Sequence, residues 1–163
     1  MKRAIVTGAT SMLGIATIEA CVQNDVEVLA IVREDCKKLD RLPNTPLVKM
    51  QKCNIEDYDN YQPDQQYDVL YHFSWTNTDK EGRQSTEIQL NNVQYTLDAV
   101  KLAYRTGCQK FIGAGSQAEF GLLDLECISP DSPVNPITPY GISKYAAGKL
   151  ANIKTEQLGM DCL

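Results

Sequence analysis

Apolar, β-branched runs alternate along this chain with stretches of helical periodicity. Five short runs predict strands at residues 3–7, 26–32, 47–50, 68–73 and 110–113. The helical stretches lie at about 12–23, briefly at 36–41, over 83–105, and from Pro139 towards Gln157. This alternation predicts an α/β fold, a doubly wound parallel sheet with helices on both faces, in one domain over residues 1–163.

Two segments depart from the alternation. Residues 117–138 hold three prolines and several acidic side chains, which predicts a long ordered loop. Residues 160–163 have the character of a sixth strand that is only beginning. A sheet ending there would expose an unpaired edge, which favours self-association.

The composition is ordinary for a soluble globular protein, with 43% hydrophobic and 23% charged residues among 163. A net charge of −5 provides no basic stripe, which argues against a nucleic-acid partner. No apolar run approaches the ~20 residues that a spanning helix needs. The first residues lack the pattern of a secretory signal, so we predict a cytoplasmic protein with no membrane partner.

Cysteine and histidine usage predicts no metal site. The six cysteines are scattered without a CxxC pair, and His72 is the one histidine. A zinc or disulfide framework would show tighter spacing, so we expect reduced thiols. We expect His72 to be a packed strand residue rather than a base.

The first predicted strand leads into a turn of small residues that ends in a helix. The turn reads Thr-Gly-Ala-Thr-Ser-Met-Leu-Gly from Thr7 to Gly14. A strand, a tight turn and a helix N-terminus together present backbone N–H groups and a partial positive charge to a diphosphate. Gly8 would allow the turn, and Gly14 would let the helix pack against the strand. A plain strand-to-helix turn is the alternative interpretation.

Tyr140 and Lys144 are four residues apart on one face of the last predicted helix. An ammonium beside the phenol would favour the ionised form and lower the pKa of Tyr140 from its ordinary value of about 10. Such a tyrosine can act as a general acid or base. Ser116, after the fifth strand, is a candidate partner. Both features also have ordinary interpretations, a chance helical spacing and a turn serine.

In this order, the segments resemble the extended branch of the short-chain dehydrogenase/reductase family. The family's TGxxGxxG turn is present with Ser11 at its middle glycine, followed by the serine and then Tyr-x-x-x-Lys. Residues 68–75, 91–93 and 115–121 also resemble segments of nucleotide-sugar epimerases and dehydratases. The resemblance covers nearly the whole chain and implies a Rossmann-type fold.

The resemblance implies NAD(P)-dependent oxidoreductase chemistry on a nucleotide-linked sugar, with hydride transfer by the nicotinamide. Tyr140 would be the catalytic acid or base, Lys144 would hold the nicotinamide ribose, and Ser116 would bind the same substrate oxygen. The implied cofactor-binding residues, besides Tyr140 and Lys144, are Gly8, Thr10, Ser11, Met12, Leu13, Gly14, Arg33, Asn54, Ile55, Phe73, Ser74, Trp75 and Asn92.

Cofactor choice and assembly are read from the same resemblance. Val32 stands where members using NAD commonly place Asp, and Arg33 follows it, which favours NADP over NAD; Glu34 and Asp35 oppose that preference. Members of the extended branch continue into a smaller C-terminal domain that holds the nucleotide sugar, and we expect that domain to be absent here. They also pair through their long helices, so we expect a homodimer.

Three functional classes stay open at this point. The chain is the nucleotide-binding part of an epimerase, dehydratase or reductase; a non-catalytic dinucleotide-binding or sensing module; or an interaction protein that docks through its proline-containing loop and long helix. Ser116, Tyr140 and Lys144 favour the first class. Ser11 and the expected lack of a substrate domain favour the second.

Overall fold

The protein folds as a parallel sheet covered by helices, as the sequence predicts. The computed structural model describes residues 1–124, 127–129 and 131–163. Six parallel strands within this part are ordered β3-β2-β1-β4-β5-β6. They are β1 Arg3–Thr7, β2 Glu27–Val32, β3 Val48–Lys52, β4 Val69–His72, β5 Lys110–Gly113 and β6 Asp161–Cys162. The strand order reverses between β1 and β4, which places a crevice at their carboxyl ends.

Three α-helices connect the strands in the described part of the chain: α1 Met12–Gln23, α2 Thr86–Arg105 and α3 Pro139–Gln157. Thr138 caps α3 by accepting a hydrogen bond from the Gly141 N–H at 3.1 Å, and Pro139 occupies the first turn, where a missing N–H costs nothing. The bounds of α1 and α3 agree with the prediction.

Two predicted helices need correction. The segment at 36–41 forms only a 3₁₀ turn, Leu39–Arg41. The long helix begins at Thr86 rather than at Arg83, because the Ser85 hydroxyl accepts from the Ile88 N–H at 3.4 Å and caps it there. Arg83 belongs to a separate 3₁₀ turn, Gly82–Gln84. This change places Arg83 outside the helix, in a turn of its own.

The two faces of the sheet bury different cores. Ile5, Leu70 and Phe111 pack on α2 and α3, whereas Val6 and Ala30 pack on α1. Because neighbouring strand residues point to opposite faces, each interior strand reads as a continuous apolar run. This burial fixes the carboxyl ends of the strands in register with one another.

The segment predicted as a long ordered loop begins with a 3₁₀ turn, Gln117–Glu119. Part of that prediction, at Leu125, Glu126 and Pro130, lies outside the described residues. Within the described ranges, no helix is long and apolar enough to cross a membrane. All six cysteines lie in these ranges, and none of them is joined in a disulfide.

Candidate functional site

The loops that follow β1, β2 and β4 enclose a groove of about 820 Å³ at the carboxyl edge of the sheet. Many of the predicted cofactor residues line it, namely Gly8, Thr10, Ser11, Met12, Arg33, Ile55, Phe73, Ser74 and Trp75. The groove therefore gathers residues from four separate segments of the sequence into one elongated surface. Its position is that of ligand sites in doubly wound sheets.

Two glycines allow the turn after β1 to pack without space for a side chain. Gly8 has a φ of 61°, and a Cβ on it would lie 2.7 Å from the Phe73 carbonyl carbon. A Cβ on Gly14 would lie 2.4 Å from the Gly8 carbonyl oxygen. These approaches bring the turn, the start of α1 and the end of β4 into direct contact, so only glycine fits either position.

Ser11, which replaces the middle glycine of the family pattern, is the N-cap of α1. Its hydroxyl accepts a hydrogen bond from the Gly14 N–H at 3.0 Å. The serine therefore satisfies one of the free N–H groups at the helix N-terminus, and it does so with ordinary extended backbone angles. The departure from glycine leaves the turn intact.

Thr7 joins the ends of β1 and β4 beneath the groove. Its Oγ1 accepts from the N–H groups of Phe73 at 3.3 Å and Ser74 at 3.4 Å, and it lies 3.0 Å from Nδ1 of His72. With both N–H groups donating to it, the hydroxyl is best placed to donate to a neutral His72 ring. Burial lowers the pKa of His72 to about 3, in keeping with a packed strand residue.

Four predicted cofactor residues stand behind the groove or beside it. Leu13 faces a different surface depression, and Gly14 is buried in the turn. Asn54 accepts from the Glu34 N–H at 3.1 Å. Asn92 is fully buried and accepts from the Thr76 N–H at 2.9 Å, which shapes the loop after β4. Asn54 and Asn92 therefore support the groove by holding the backbone of the neighbouring loops with their side chains.

Ser116 is the N-cap of the 3₁₀ turn Gln117–Glu119, which packs against the start of α3. Its hydroxyl accepts from the Ala118 N–H at 3.2 Å, and the Glu119 carboxylate accepts from the Ser116 N–H at 2.6 Å. Gly141 allows the close packing, because a Cβ there would lie 2.4 Å from the Ala118 carbonyl oxygen. The Ser116 oxygen is thus used as an acceptor, which leaves the hydroxyl proton to donate elsewhere.

The Lys144 ammonium is held by a carbonyl and an aromatic ring. It donates to the Ala114 carbonyl oxygen at 2.8 Å and lies 4.0 Å over the Trp75 ring. Burial lowers the pKa of Lys144 to about 8, and the carboxylate of Glu119 opposes that shift. Lys144 is therefore a largely protonated but readily titrated cation, and it lines a second cavity of about 410 Å³ that shares Trp75 with the groove.

Tyr140 is half-buried between two side chains. Its ring meets the Trp75 ring edge-on, with 6.0 Å between centroids and an interplanar angle of 81°. The Arg83 guanidinium lies 4.6 Å from the Tyr140 ring centroid. The sequence prediction missed Arg83, since it assigned this residue to the first turn of the long helix.

A basic rim borders the end of the groove next to β2. Lys37, Lys38 and Arg41 line it together with Arg33. Arg41 also donates to the Thr10 carbonyl oxygen at 2.7 Å, which ties this segment to the turn after β1. Arg33 is exposed and lies 3.6 Å from Asp35. Three of these residues were missed because their segment was predicted to be a short helix.

The parallel sheet, its crevice at the strand reversal and the glycine turn define a Rossmann-type α/β protein. The profile of the NAD dependent epimerase/dehydratase family matches residues 4–163. The chain therefore belongs to that family, within the branch that the sequence resembles.

Solved structures with this fold are longer than the chain. A UDP-galactose 4-epimerase superposes with a TM-score of 0.85 at 21% identity, over 98% of this chain and 54% of its own. The UDP-Glc/GlcNAc 4-epimerase of Campylobacter jejuni gives 0.84 at 21%, over 99% and 52%. The Bordetella bronchiseptica enzyme WbmG in complex with NAD gives 0.77 at 21%, over 93% and 49%. The chain thus spans about half the length of these structures, and at such identity the likeness shows the fold.

Proposed function

We propose that this chain binds a nicotinamide dinucleotide in the groove and supplies the acid/base residues of an enzyme that acts on a nucleotide-linked sugar. The observation that carries the proposal is that Tyr140 and Lys144 both contact Trp75, which lines the groove, while the turn after Ser116 packs against the start of α3. A dinucleotide-sensing module would need the groove but not this arrangement. The family assignment supports the same reaction class.

The groove suits a dinucleotide because its glycine turn leaves room for a diphosphate next to backbone N–H groups. At Gly8 and Gly14 a side chain would collide with backbone atoms, so the turn lies flat against the sheet. The N-terminus of α1 adds a partial positive charge at this point. Gly8, Thr10 and Met12 would hold the diphosphate, and Phe73, Ser74 and Trp75 would border the section leading to the nicotinamide.

The bound nicotinamide would supply hydride chemistry. Tyr140 would take the proton from a sugar hydroxyl or return it to a carbonyl. The oxygen of the Ser116 hydroxyl already accepts a hydrogen bond from the Ala118 N–H. The hydroxyl would donate a hydrogen bond to the same substrate oxygen and so orient it. The Lys144 ammonium would exchange its hydrogen bond to the Ala114 carbonyl oxygen for hydrogen bonds to the ribose hydroxyls of the cofactor.

We propose that NADP is preferred over NAD. The basic rim supports this preference, because a 2′-phosphate on the adenosine ribose would find Arg33, Lys37 and Lys38 around it. The Arg33–Asp35 pair is exposed on both sides, so solvent screens it and little is lost when Arg33 turns to a phosphate. The acidic side chains of Glu34 and Asp35 reduce the preference for NADP, but the basic side chains of the rim outnumber them.

The cofactor proposal is tested by titrating the chain with NADPH and with NADH while following the fluorescence of the reduced nicotinamide. Saturable binding that is tighter for NADPH is expected. Arg33→Gln should weaken NADPH binding by about tenfold, the value of one charge-assisted phosphate contact, and leave NADH binding unchanged. Lys49→Gln, on β3 and outside the groove, serves as the control. No saturable binding of either dinucleotide would refute the proposal.

The catalytic proposal is tested with Tyr140→Phe, which keeps the ring and removes the hydroxyl. Turnover of nucleotide sugars is measured with this chain and with any longer form that contains it. We expect the substitution to abolish turnover and leave the dinucleotide affinity within about twofold, since the phenol proton matters only in reaction. Turnover that survives would remove Tyr140 from its role.

We also propose that the chain forms a homodimer through α2 and α3. These helices leave Leu90 and Tyr104 exposed on α2, and Ile142, Leu150 and Ile153 exposed on α3. Covering them in a second copy would bury apolar area that water now contacts. Light scattering should give the mass of a dimer, and Leu90→Glu should give a monomer. Leu122→Glu, at an exposed leucine in another part of the molecule, is the control; a monomeric parent chain contradicts the proposal.

A further inference from the structure

Trp75 touches both members of the Tyr140–Lys144 pair. The Lys144 ammonium lies 4.0 Å over its ring, and the Tyr140 ring meets it edge-on at 6.0 Å. Tryptophan attracts a cation over its face more strongly than any other side chain, and its rigid ring defines the spacing of whatever packs on it. Trp75 is therefore a common contact of both groups.

A buried amide fixes the orientation of Trp75. The indole Nε1 donates to Oε1 of Gln89 at 2.8 Å, and Gln89 is completely buried on α2. The Gln89 amide nitrogen donates to the carbonyl oxygens of Gly82 at 2.9 Å and Asn77 at 3.3 Å. Both the oxygen and the nitrogen of the Gln89 amide are hydrogen-bonded. Rotation of the indole would therefore remove the main donor to the buried Oε1 of Gln89.

The same glutamine also bonds to the turn that carries the other side chain on Tyr140. Gly82, which accepts from Gln89, begins the 3₁₀ turn that carries Arg83, whose guanidinium covers the Tyr140 ring at 4.6 Å. Trp75 and Arg83 thus contact Tyr140 from two directions and share one anchor. The arrangement consists entirely of residues from β4 to α2, although the pair that it holds lies on α3.

We propose that Trp75 is a positioning residue for the Tyr140–Lys144 pair: its ring seats the ammonium of Lys144 and fixes the phenol ring of Tyr140, and Gln89 anchors the indole. This role does not depend on which dinucleotide or sugar binds. It assigns a part in the site to Gln89, which lines no groove and touches neither member of the pair directly in the contacts described above.

The charged and titratable groups around Lys144 come from four elements. Glu119 faces it from the turn after β5, His72 from β4, Tyr140 from α3 itself, and Arg83 approaches on the far side of Tyr140. His72, with a pKa of about 3, is neutral at neutral pH. Lys144, with a pKa of about 8, is then the cation on the indole whose charge changes in mildly alkaline solution.

Trp75 is the one tryptophan of the chain, so tryptophan fluorescence reports directly on the contact between its ring and Lys144. We would titrate the emission of the protein without cofactor from pH ~6 to ~10, a range that includes the release of a proton from a buried lysine. A transition with a midpoint near 8 is expected. It should disappear in Lys144→Met and persist in Tyr140→Phe. Lys149→Met is the matched control on α3, because the Lys149 ammonium lies by Tyr145 instead.

The anchor is tested with Gln89→Leu against Gln94→Leu, whose side chain bonds to Asp98 on α2. Gln89→Leu should shift Trp75 emission to longer wavelength and move the Lys144 midpoint towards that of an ordinary lysine. Gln94→Leu should leave both unchanged. The proposal would be overturned if Trp75 emission did not change when Lys144 loses its charge. It would also be overturned if the pH midpoint of the Gln89→Leu variant equalled that of the parent.

A measurement on the parent chain protects the test against variants that fail to fold. The ε-methylene protons of Lys144 should resonate upfield of those of the other lysines, because the ammonium bonded to that methylene lies 4.0 Å over the indole ring. The signal is assigned by its loss in Lys144→Arg. A Lys144 methylene signal at the chemical shift of an ordinary lysine would refute the packing of Lys144 on Trp75, whatever the result of the cofactor titrations.

Discussion

Gly14 and Gly148 offer the same substitution, glycine to alanine in a helix, with opposite expected results. Gly14 is in the first turn of α1, and a Cβ there would lie 2.4 Å from the Gly8 carbonyl oxygen and 2.7 Å from that of Ala9. Both neighbours are backbone atoms that no rotamer change can move. Gly148 is in the middle of α3, and a Cβ there would meet nothing within 4 Å. The two sites differ in surroundings more than in secondary structure.

The expected magnitudes follow from two terms. Alanine in place of glycine stabilises a helix interior by up to about 1 kcal/mol, which is the whole effect at Gly148. At Gly14 the added methyl forces the turn away from α1, and such overpacking costs about 1 to 3 kcal/mol. Because the helix term is common to both variants, their free energies of unfolding should differ by about 1 to 3 kcal/mol.

Urea unfolding of both variants, followed by far-UV circular dichroism, measures this difference through the transition midpoints. Gly14→Ala should also weaken dinucleotide binding, since the displaced turn lines the groove. Gly148→Ala should leave binding unchanged. Equal stabilisation of the two variants would refute the reasoning, because it would mean that the turn and α1 are not in the close contact described.

Three further substitutions test the supports of the site. Ser85→Ala should cost about 1 kcal/mol in the free energy of unfolding by removing the cap of α2; Ser85→Asp, which can still cap, should not. Arg105→Met should cost about 2 kcal/mol, since Arg105 donates to the carbonyl oxygens of Tyr58 and Tyr61, and an unchanged urea midpoint would contradict it. The folded His72 pKa of about 3 lies below its unfolded value, so the unfolded chain binds the extra proton and stability falls below pH ~6.5, by at most about 1.4 kcal/mol per unit. Urea midpoints at pH 7 and pH 5 should therefore differ less in His72→Phe than in the parent, and identical differences would exclude this account.

The strands and the helices α1 and α3 follow from local signals in the sequence. Apolar runs mark strands that are buried on both faces, and Pro139, which suits a first helical turn, marks the start of α3. The start of α2 was wrong because Arg83 and Ser85 both fit a helical pattern, and only the cap geometry separates them. Periodicity cannot distinguish a 3₁₀ turn that precedes a helix from the first turn of the helix itself.

The candidate site was less accessible from the sequence. Turn residues such as Gly8 and Ser11 are contiguous, so a short motif is enough to find them. The contacts of Trp75 with Lys144 and with Gln89 join positions that are far apart or on different elements, and no spacing rule encodes them. The sequence predicted Trp75 for the groove, whereas its packing on Tyr140 depends on how α3 lies against the loop after β4.

The contact of Thr7 with the loop after β4 has a consequence for binding entropy. The buried Thr7 hydroxyl, together with the Thr7 carbonyl oxygen, holds the backbone of Phe73 and Ser74 against the end of β1 before any ligand arrives. Ordering one loop residue costs about 1–2 kcal/mol, and for Phe73 and Ser74 this cost is met during folding rather than on binding. A dinucleotide would therefore meet a preorganised wall, and Thr7→Val, which keeps the shape without the hydroxyl, should slow its capture by leaving that wall to be ordered on each binding event.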